Sequence, residues 1–179
     1  MTPRLITPPA ALAVSMDAAR RAARAPGNAL DAEIADKVQG IIEEAEHKTG
    51  RAFITQTWVV TLDRFEEAIK LPNAPLASVD HIKFYDVAGV QQTLDPQDYV
   101  VNTGAEPGSV RPAPGLMWPA TQLQREGAVE VQYVCGFGAT DAAVPAAIKR
   151  YILGMLENDY YPNPNAQYLG SLLDRAMVY

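Results

Sequence analysis

The chain has 179 residues, enough to bury a substantial core, and its 48% hydrophobic and 20% charged residues are the balance of an ordinary globular protein. A net charge of −6 argues against sequence-independent gripping of nucleic acid, which needs a concentrated Lys/Arg surface to displace counterions, although DNA can still slide past an acidic wall. The single cysteine, Cys135, excludes an intramolecular disulfide framework and suits a reducing compartment.

No apolar run approaches the 18 or so residues of a membrane span. Leu5 to Met16 has one preceding cation, Arg4, and the Pro8-Pro9 pair breaks it, so the segment reads as an extended arm over residues 1–14 and not as a signal peptide. Ser15 is a plausible N-cap for a short helix through Arg24, with Asp17 in its first turn, and Pro26-Gly27 ends it. Charge then changes sign. Residues 1–27 hold four arginines against one aspartate, whereas residues 28–49 hold six acids against two lysines. Over the latter stretch Leu30, Ile34, Val38, Ile41, Ile42 and Ala45 recur at helical spacing, Asn28 is placed to cap, and Thr49-Gly50 closes the helix. One face is apolar and the other acidic.

From Phe53 the period shifts towards 2, and Ile54, Trp58, Val60 and Leu62 predict a strand. Val79 to Tyr85 and Val90 to Leu94 predict a hairpin turned at residues 86–89, and Tyr99 to Asn102 a further strand. Pro107-Gly108 marks a turn, and residues 111–127, rich in proline around Trp118, read as a long loop. Ala128 to Cys135 returns to strand, with Val129, Val131, Tyr133 and Cys135 on one face. Pro145 opens a helix striped by Ile148, Tyr151, Ile152, Met155 and Leu156, stopped at residues 160–164. A last short helix over Asn165 to Ala176 presents Leu169, Leu172 and Leu173. Helices, then strands, then helices is the order of an α+β fold: a small helical bundle with an inserted antiparallel β region.

The residues offer little chemistry. His47 follows Glu43 by four on the acidic helix, but a metal would need further ligands and no HExxH is present, so it reads as a solvated histidine near a helix C-terminus. His81, beside Asp80, reads as a surface residue of a strand. Cys135 with either histidine could form a nucleophile–base pair, against which stands a buried strand cysteine flanked by Val131, Tyr133 and Phe137. Gly136-Phe-Gly138 is no phosphate loop, since GxGxxG fails at Asp141. No catalytic residue, metal or cofactor is expected. The cluster Arg20, Arg21 and Arg24 reads either as a docking patch for an acidic partner or as a solvated face. Five of the eight tyrosines (Tyr151, Tyr160, Tyr161, Tyr168 and Tyr179) fall near the C-terminus, where large amphipathic rings suit an interface, and the apolar end Met177-Val178-Tyr179 reads as an assembly contact.

Several strings recur together in order: Leu5-Ile-Thr-Pro-Pro9 with Val14-Ser15, Thr49-Gly50-Arg51-Ala52 into Ile54-Thr-Gln-Thr-Trp58, Thr61-Leu-Asp-Arg-Phe65, Ile69-Lys-Leu-Pro72, Gln92-Thr-Leu-Asp-Pro96, Trp118-Pro119, Tyr133-Val-Cys-Gly-Phe-Gly138 and Val144-Pro145. As a set they resemble the head-tail connector (adaptor, or head-completion) family of long-tailed phages, prophages and gene-transfer agents, over residues 5–160. The resemblance implies one connector domain over residues 1–179, with a β region inserted at 53–138 and an assembly tail at 163–179. It implies a ring, expected to be twelve-fold, in the neck of a virion or phage-like particle assembled in the bacterial cytoplasm. The ring's partners would be the portal and a tail-side stopper or tail terminator, with DNA only passing through. A closed ring needs two different faces on each subunit. Arg20, Arg21 and Arg24 against Asp31, Glu43 and Glu44 are candidates for those faces. Leu169, Leu172, Leu173, Met177, Val178 and Tyr179 are candidates for portal docking. The other classes weighed are a small prophage-encoded hydrolase or nuclease, and a monomeric binding or regulatory module.

Overall fold

The structure, a computed structural model, describes residues 1–178, with the side chain of Thr2 left aside. The chain forms two compact units: residues 1–8 with 56–136, which carry the strands, and residues 9–55 with 137–179, which carry the α-helices. The architecture is α+β.

The β unit holds two antiparallel sheets. The larger runs in the order β1 (Thr2–Thr7), β2 (Gln56–Leu62), β8 (Val129–Cys135), β4 (Leu76–Tyr85), β5 (Gln91–Thr93). The smaller runs β3 (Ile69–Leu71), β7 (Gly108–Pro112), β6 (Tyr99–Asn102). Half of the expected arm is thus a strand: Arg4 pairs with Val59 and Leu5 with Trp58. Pro3 is tolerated there because β1 lies at the sheet edge, where a missing N–H need not break a ladder. Strand β8 alternates as its sequence demands. Val129, Val131, Tyr133 and Cys135 are all fully buried, and the residues between them are half-buried. The β4–β5 hairpin turns on Asp86, whose carboxylate accepts from the Ala88 and Val90 amides at 2.9 and 3.0 Å and from the Gln92 side chain at 2.9 Å. Those bonds, Gln92's first, hold Asp86 below its ordinary pKa. The two sheets touch at Gly108, where a Cβ would lie 2.5 Å from that of Leu76.

In the helical unit, Ser15 caps α1 (Met16–Ala22), accepting from the Ala18 amide at 3.3 Å. Helix α2 (Asp31–Thr49) starts later than the sequence suggests. Leu30 takes the cap position with no side-chain bond, and Asn28 contributes only its carbonyl, which accepts from the Asp31 amide at 3.2 Å. Gly50, with φ 67°, ends the helix in the left-handed conformation expected. Helix α3 (Ala146–Tyr160) follows Pro145. The expected last helix over 165–176 is reduced to one turn, α4 (Tyr168–Ser171), and a 3-10 turn at Asp174–Ala176. The core gathers Ala19, Ile34, Val38, Ile42, Phe53, Ile148, Tyr151, Ile152 and Leu156 from α1, α2, α3 and the α2–β2 connection.

Candidate assembly surfaces

The split charge of the first two helices is drawn together within the chain. Arg20 on α1 forks onto Asp31 at the start of α2, Nε to Oδ1 at 2.7 Å and Nη2 to Oδ2 at 2.5 Å, and Nη1 also reaches Asp17 at 2.7 Å. The hydrogen bond raises the Arg20 pKa and lowers that of Asp31. Arg24, at φ 51°, meets Glu157 of α3 at 3.2 Å and lies over the Tyr161 ring, 4.3 Å from its centroid. Arg21 is exposed and has no ion-pair partner among the described residues. Glu43 accepts from Gln39 at 2.9 Å and Glu44 pairs with Lys48 at 2.5 Å, both on the solvent side of α2. At the other end of that helix Lys37 pairs with Asp159, and Tyr160 donates to Glu33 at 2.9 Å.

The C-terminal segment is seated on its own unit. Leu169 and Leu173 are each 3% exposed and belong to the helical core. Gly154 makes this possible on α3: a Cβ there would stand 2.6 Å from Leu169 Cδ2, so the leucine fills a notch that only glycine leaves open. Further on, Arg51 Nε donates to the Ala176 carbonyl at 2.5 Å, and the Val178 amide donates to Thr49 at 2.9 Å. Val178 Cβ comes within 3.7 Å of where a Gly50 Cβ would be, so the end of α2 doubles as a seat for the tail. Leu172 is half-buried and Met177 is exposed. Tyr179 lies outside the described residues.

A groove of about 550 Å³ runs between α1 and α3 and is closed at one end by α4. Apolar Val14, Ala18, Ala22 and Leu153 line it together with the charged Asp141, Lys149, Arg150 and Glu157. In the β unit, the loop after β7 is anchored: Trp118 stacks on Phe65 at 4.7 Å and donates to the Glu66 carbonyl at 2.6 Å, while Arg125 lies over Tyr85. The same loop turns Met117 and Leu123 outward, 91% and 89% exposed. Sequence reasoning read a loop here but missed its apolar tip. It also missed the groove, because its charged lining residues carry no pattern until α1 is laid beside them.

The geometry keeps Cys135 and His81 apart. Cys135 Sγ is buried, 3.8 Å from the Gln56 carbonyl. His81 leans towards Glu130 at 3.6 Å, and Glu130 is odd-numbered in separation from Cys135 along β8, so histidine and thiol lie on opposite faces of the sheet. His47 is exposed on α2. Among the described residues no three His, Cys, Asp or Glu side chains converge as metal ligands would. Among the described residues no helix is long and apolar enough to cross a membrane.

No family model and no curated protein matches this sequence. Solved structures do match its fold. One is a chain from the neck of an empty GTA particle computed with C6 symmetry, with a TM-score of 0.83 at 21% identity. A second, from the virion of a native gene transfer agent (GTA) particle, gives 0.80 at 22%, and a third, from the neck of a native GTA particle computed with C12 symmetry, gives 0.75 at 22%. Each likeness covers 100% of this chain and 96% of the other. Both units, in their order along the chain, therefore make up a fold found in the chains of gene-transfer-agent particles.

Proposed function

We propose that this chain is a non-catalytic structural subunit of the neck of a phage-like particle, a head-tail adaptor that assembles as a ring between portal and tail-side stopper or terminator. The observation that carries the reading is the end-to-end likeness, at a TM-score of 0.83, to a chain of a gene-transfer-agent neck. The ordered strings noted in the sequence support the same assignment independently. Neck symmetries of C6 and C12 among the similar structures support a ring, with twelve copies as its expected number. The net charge of −6 suits a ring that lets DNA pass without holding it.

Arg20 and Asp31 already satisfy each other within one chain, so of the proposed ring-interface set Arg21, Glu43 and Glu44 are the members a neighbour meets most readily. Of the proposed portal-docking set, Leu172 and Met177 are reachable with the fold as it stands, whereas Leu169, Leu173 and Val178 contact a portal only after the tail leaves its seat. Deleting the gene in the producing cell and imaging lysates by electron microscopy tests the reading. The expected result is filled heads and tails that remain separate, restored to joined particles by the gene supplied in trans. Joined particles without the gene would refute it.

A further inference from the structure

Strand β5 leaves the larger sheet with an open edge. It lies at the end of the strand order, and Gln91, Gln92 and Thr93 are all exposed. Its bonds to β4 alternate: the Asp86 amide donates to the Val90 carbonyl at 3.0 Å, the Leu94 amide donates to Ile82 at 2.8 Å, and Gln92 lies opposite Phe84 midway between them. In an antiparallel ladder every second residue is bonded, so the N–H and C=O groups of Gln91 and Thr93 point away from β4. Among the described residues no strand takes them. Proteins blunt such an edge with proline or charge, and residues 90–94 contain neither, whereas the opposite edge, β1, carries Pro3 and Arg4.

A groove of about 440 Å³ adjoins this edge. Gln92, Thr93, Phe84 and Leu94 line it from the hairpin, and Leu116, Met117 and Trp118 from the loop after β7. The loop is fixed before any partner arrives, since Trp118 stacks on Phe65 and donates to the Glu66 carbonyl. Leu116 and Met117 are nonetheless 49% and 91% exposed, and nothing within this unit covers them. The charged residues in the lining are Asp95 and Asp98, with no lysine, arginine or histidine among them. Asp95 accepts from the Gln97 amide at 2.9 Å, and neither exposed acid has a cationic partner among the described residues.

We propose that β5 and this groove bind an extended segment of another polypeptide, which adds a strand to the open edge and carries a lysine or arginine two residues from an apolar side chain. The backbone groups of Gln91 and Thr93 hold the segment, and alternate side chains give selectivity. Residues two apart on a strand share a face, so the apolar side chain meets Leu116 and Met117 while the cation reaches Asp95 and Asp98. The two acids also reject a segment with a carboxylate at that place. This chain has two segments of the required composition, and both are engaged within their own subunit. Residues 4–6 belong to β1, which pairs with β2; in residues 175–178 the Val178 amide donates to Thr49 and Arg51 donates to the Ala176 carbonyl. The occupant is therefore a different polypeptide. That it belongs to the neck rests on the reading given above; the site itself does not.

Two measurements on the full-length chain test this. A fluorescently labelled peptide, Ser-Thr-Leu-Thr-Arg-Thr-Ser with both ends blocked, should bind saturably by anisotropy, and its counterpart with glutamate in place of arginine should not. Asp95→Lys with Asp98→Lys should weaken binding about tenfold or more, as should Met117→Asp. Thr93→Pro, which removes an amide that β4 does not use, should do the same. The thermal midpoints of these variants should stay close to the parent's, which separates a lost surface from a damaged fold; Met117→Asp, at so exposed a position, is the safest of them. No saturable binding at millimolar peptide, or binding indifferent to all three changes, would overturn the site. In the producing cell, photoreactive benzoylphenylalanine in place of Met117 should cross-link, in finished particles, to a different neck polypeptide at a stretch with lysine or arginine two residues from an apolar side chain. A cross-link to a second copy of this chain, or none in particles that contain the chain, would overturn the proposed occupant and leave the ring reading standing. Peptide binding by a chain that is absent from particles would support the site and overturn the neck reading.

Discussion

Replacing Leu169 with alanine asks whether the C-terminal segment is part of the folded subunit. The side chain is 3% exposed, and its Cδ2 fills the notch at Gly154. Losing three buried carbons from such a site costs about 2–5 kcal/mol, depending on how far the surroundings collapse. Helix α4 is a single turn and can settle towards α3, so the lower half of that range, about 2–3 kcal/mol, is expected. With a urea m-value of about 1–3 kcal/mol per M, the midpoint should fall by about 1 M. Gly154→Ala should cost less, because the atom it strikes is the far end of a rotatable side chain, and adding it to Leu169→Ala should cost almost nothing more. Equilibrium unfolding of the four chains, followed by circular dichroism, measures this. An unchanged midpoint for Leu169→Ala would refute the reasoning, since it would mean that the tail contributes nothing to the free subunit and is held for a partner alone.

Other outcomes follow from the same contacts. Gly40→Ala should stabilise the isolated chain by about 0.5–1 kcal/mol, because an exposed mid-helix glycine gives way to the best helix former; a drop in the thermal midpoint would contradict the open space beside it. The depressed Asp31 pKa contributes stability that is present above its ordinary value of 3.8 and is lost as pH falls through the lower folded value. Asp31→Asn should therefore flatten the acid limb of the stability profile below about pH 4, and an identical limb would argue that the Arg20 fork is not kept in solution. Gly108→Ala should destabilise the β unit by about 1–3 kcal/mol because its Cβ would strike that of Leu76, and Leu76→Ala, which keeps that Cβ, should not rescue it. Cys135 should react with a thiol reagent only on global unfolding, and His47→Ala with Cys135→Ala should leave particle yield unchanged; loss of particles with a folded subunit would reopen a catalytic reading.

How much of this was legible beforehand differs from element to element. Periodicity revealed α2 and β8 because each buries one regular face, Ile34 to Ala45 at helical spacing and Val129 to Cys135 at alternate positions. Strand β1 was hidden by Pro3 and Pro8, which speak against regular structure until the sheet edge that accommodates them is known. Strand β3 has three residues between prolines and polar turns, too few for a period to register. Asn28 has the residue type of a cap, but the chain enters α2 two residues later at Leu30, where only geometry decides. The charge asymmetry of the first fifty residues was plain in the sequence. That Arg20 spends its charge on Asp31 of the same chain was not, because a sequence shows the sign of a face and not what lies across from it. The tail's apolar character was equally plain, whereas its seat depends on Gly154 and Gly50 meeting Leu169 and Val178 across long separations in the chain.

The central claim, a ring subunit at the junction of head and tail, is tested most directly by locating the chain in the particle. Cryo-electron microscopy of purified particles carrying an internally tagged copy, with the tag at an exposed turn such as residues 87–89, should place the extra density at the neck in a closed ring of twelve. Density on the capsid shell or along the tail, or particles that contain none of the chain, would contradict the account.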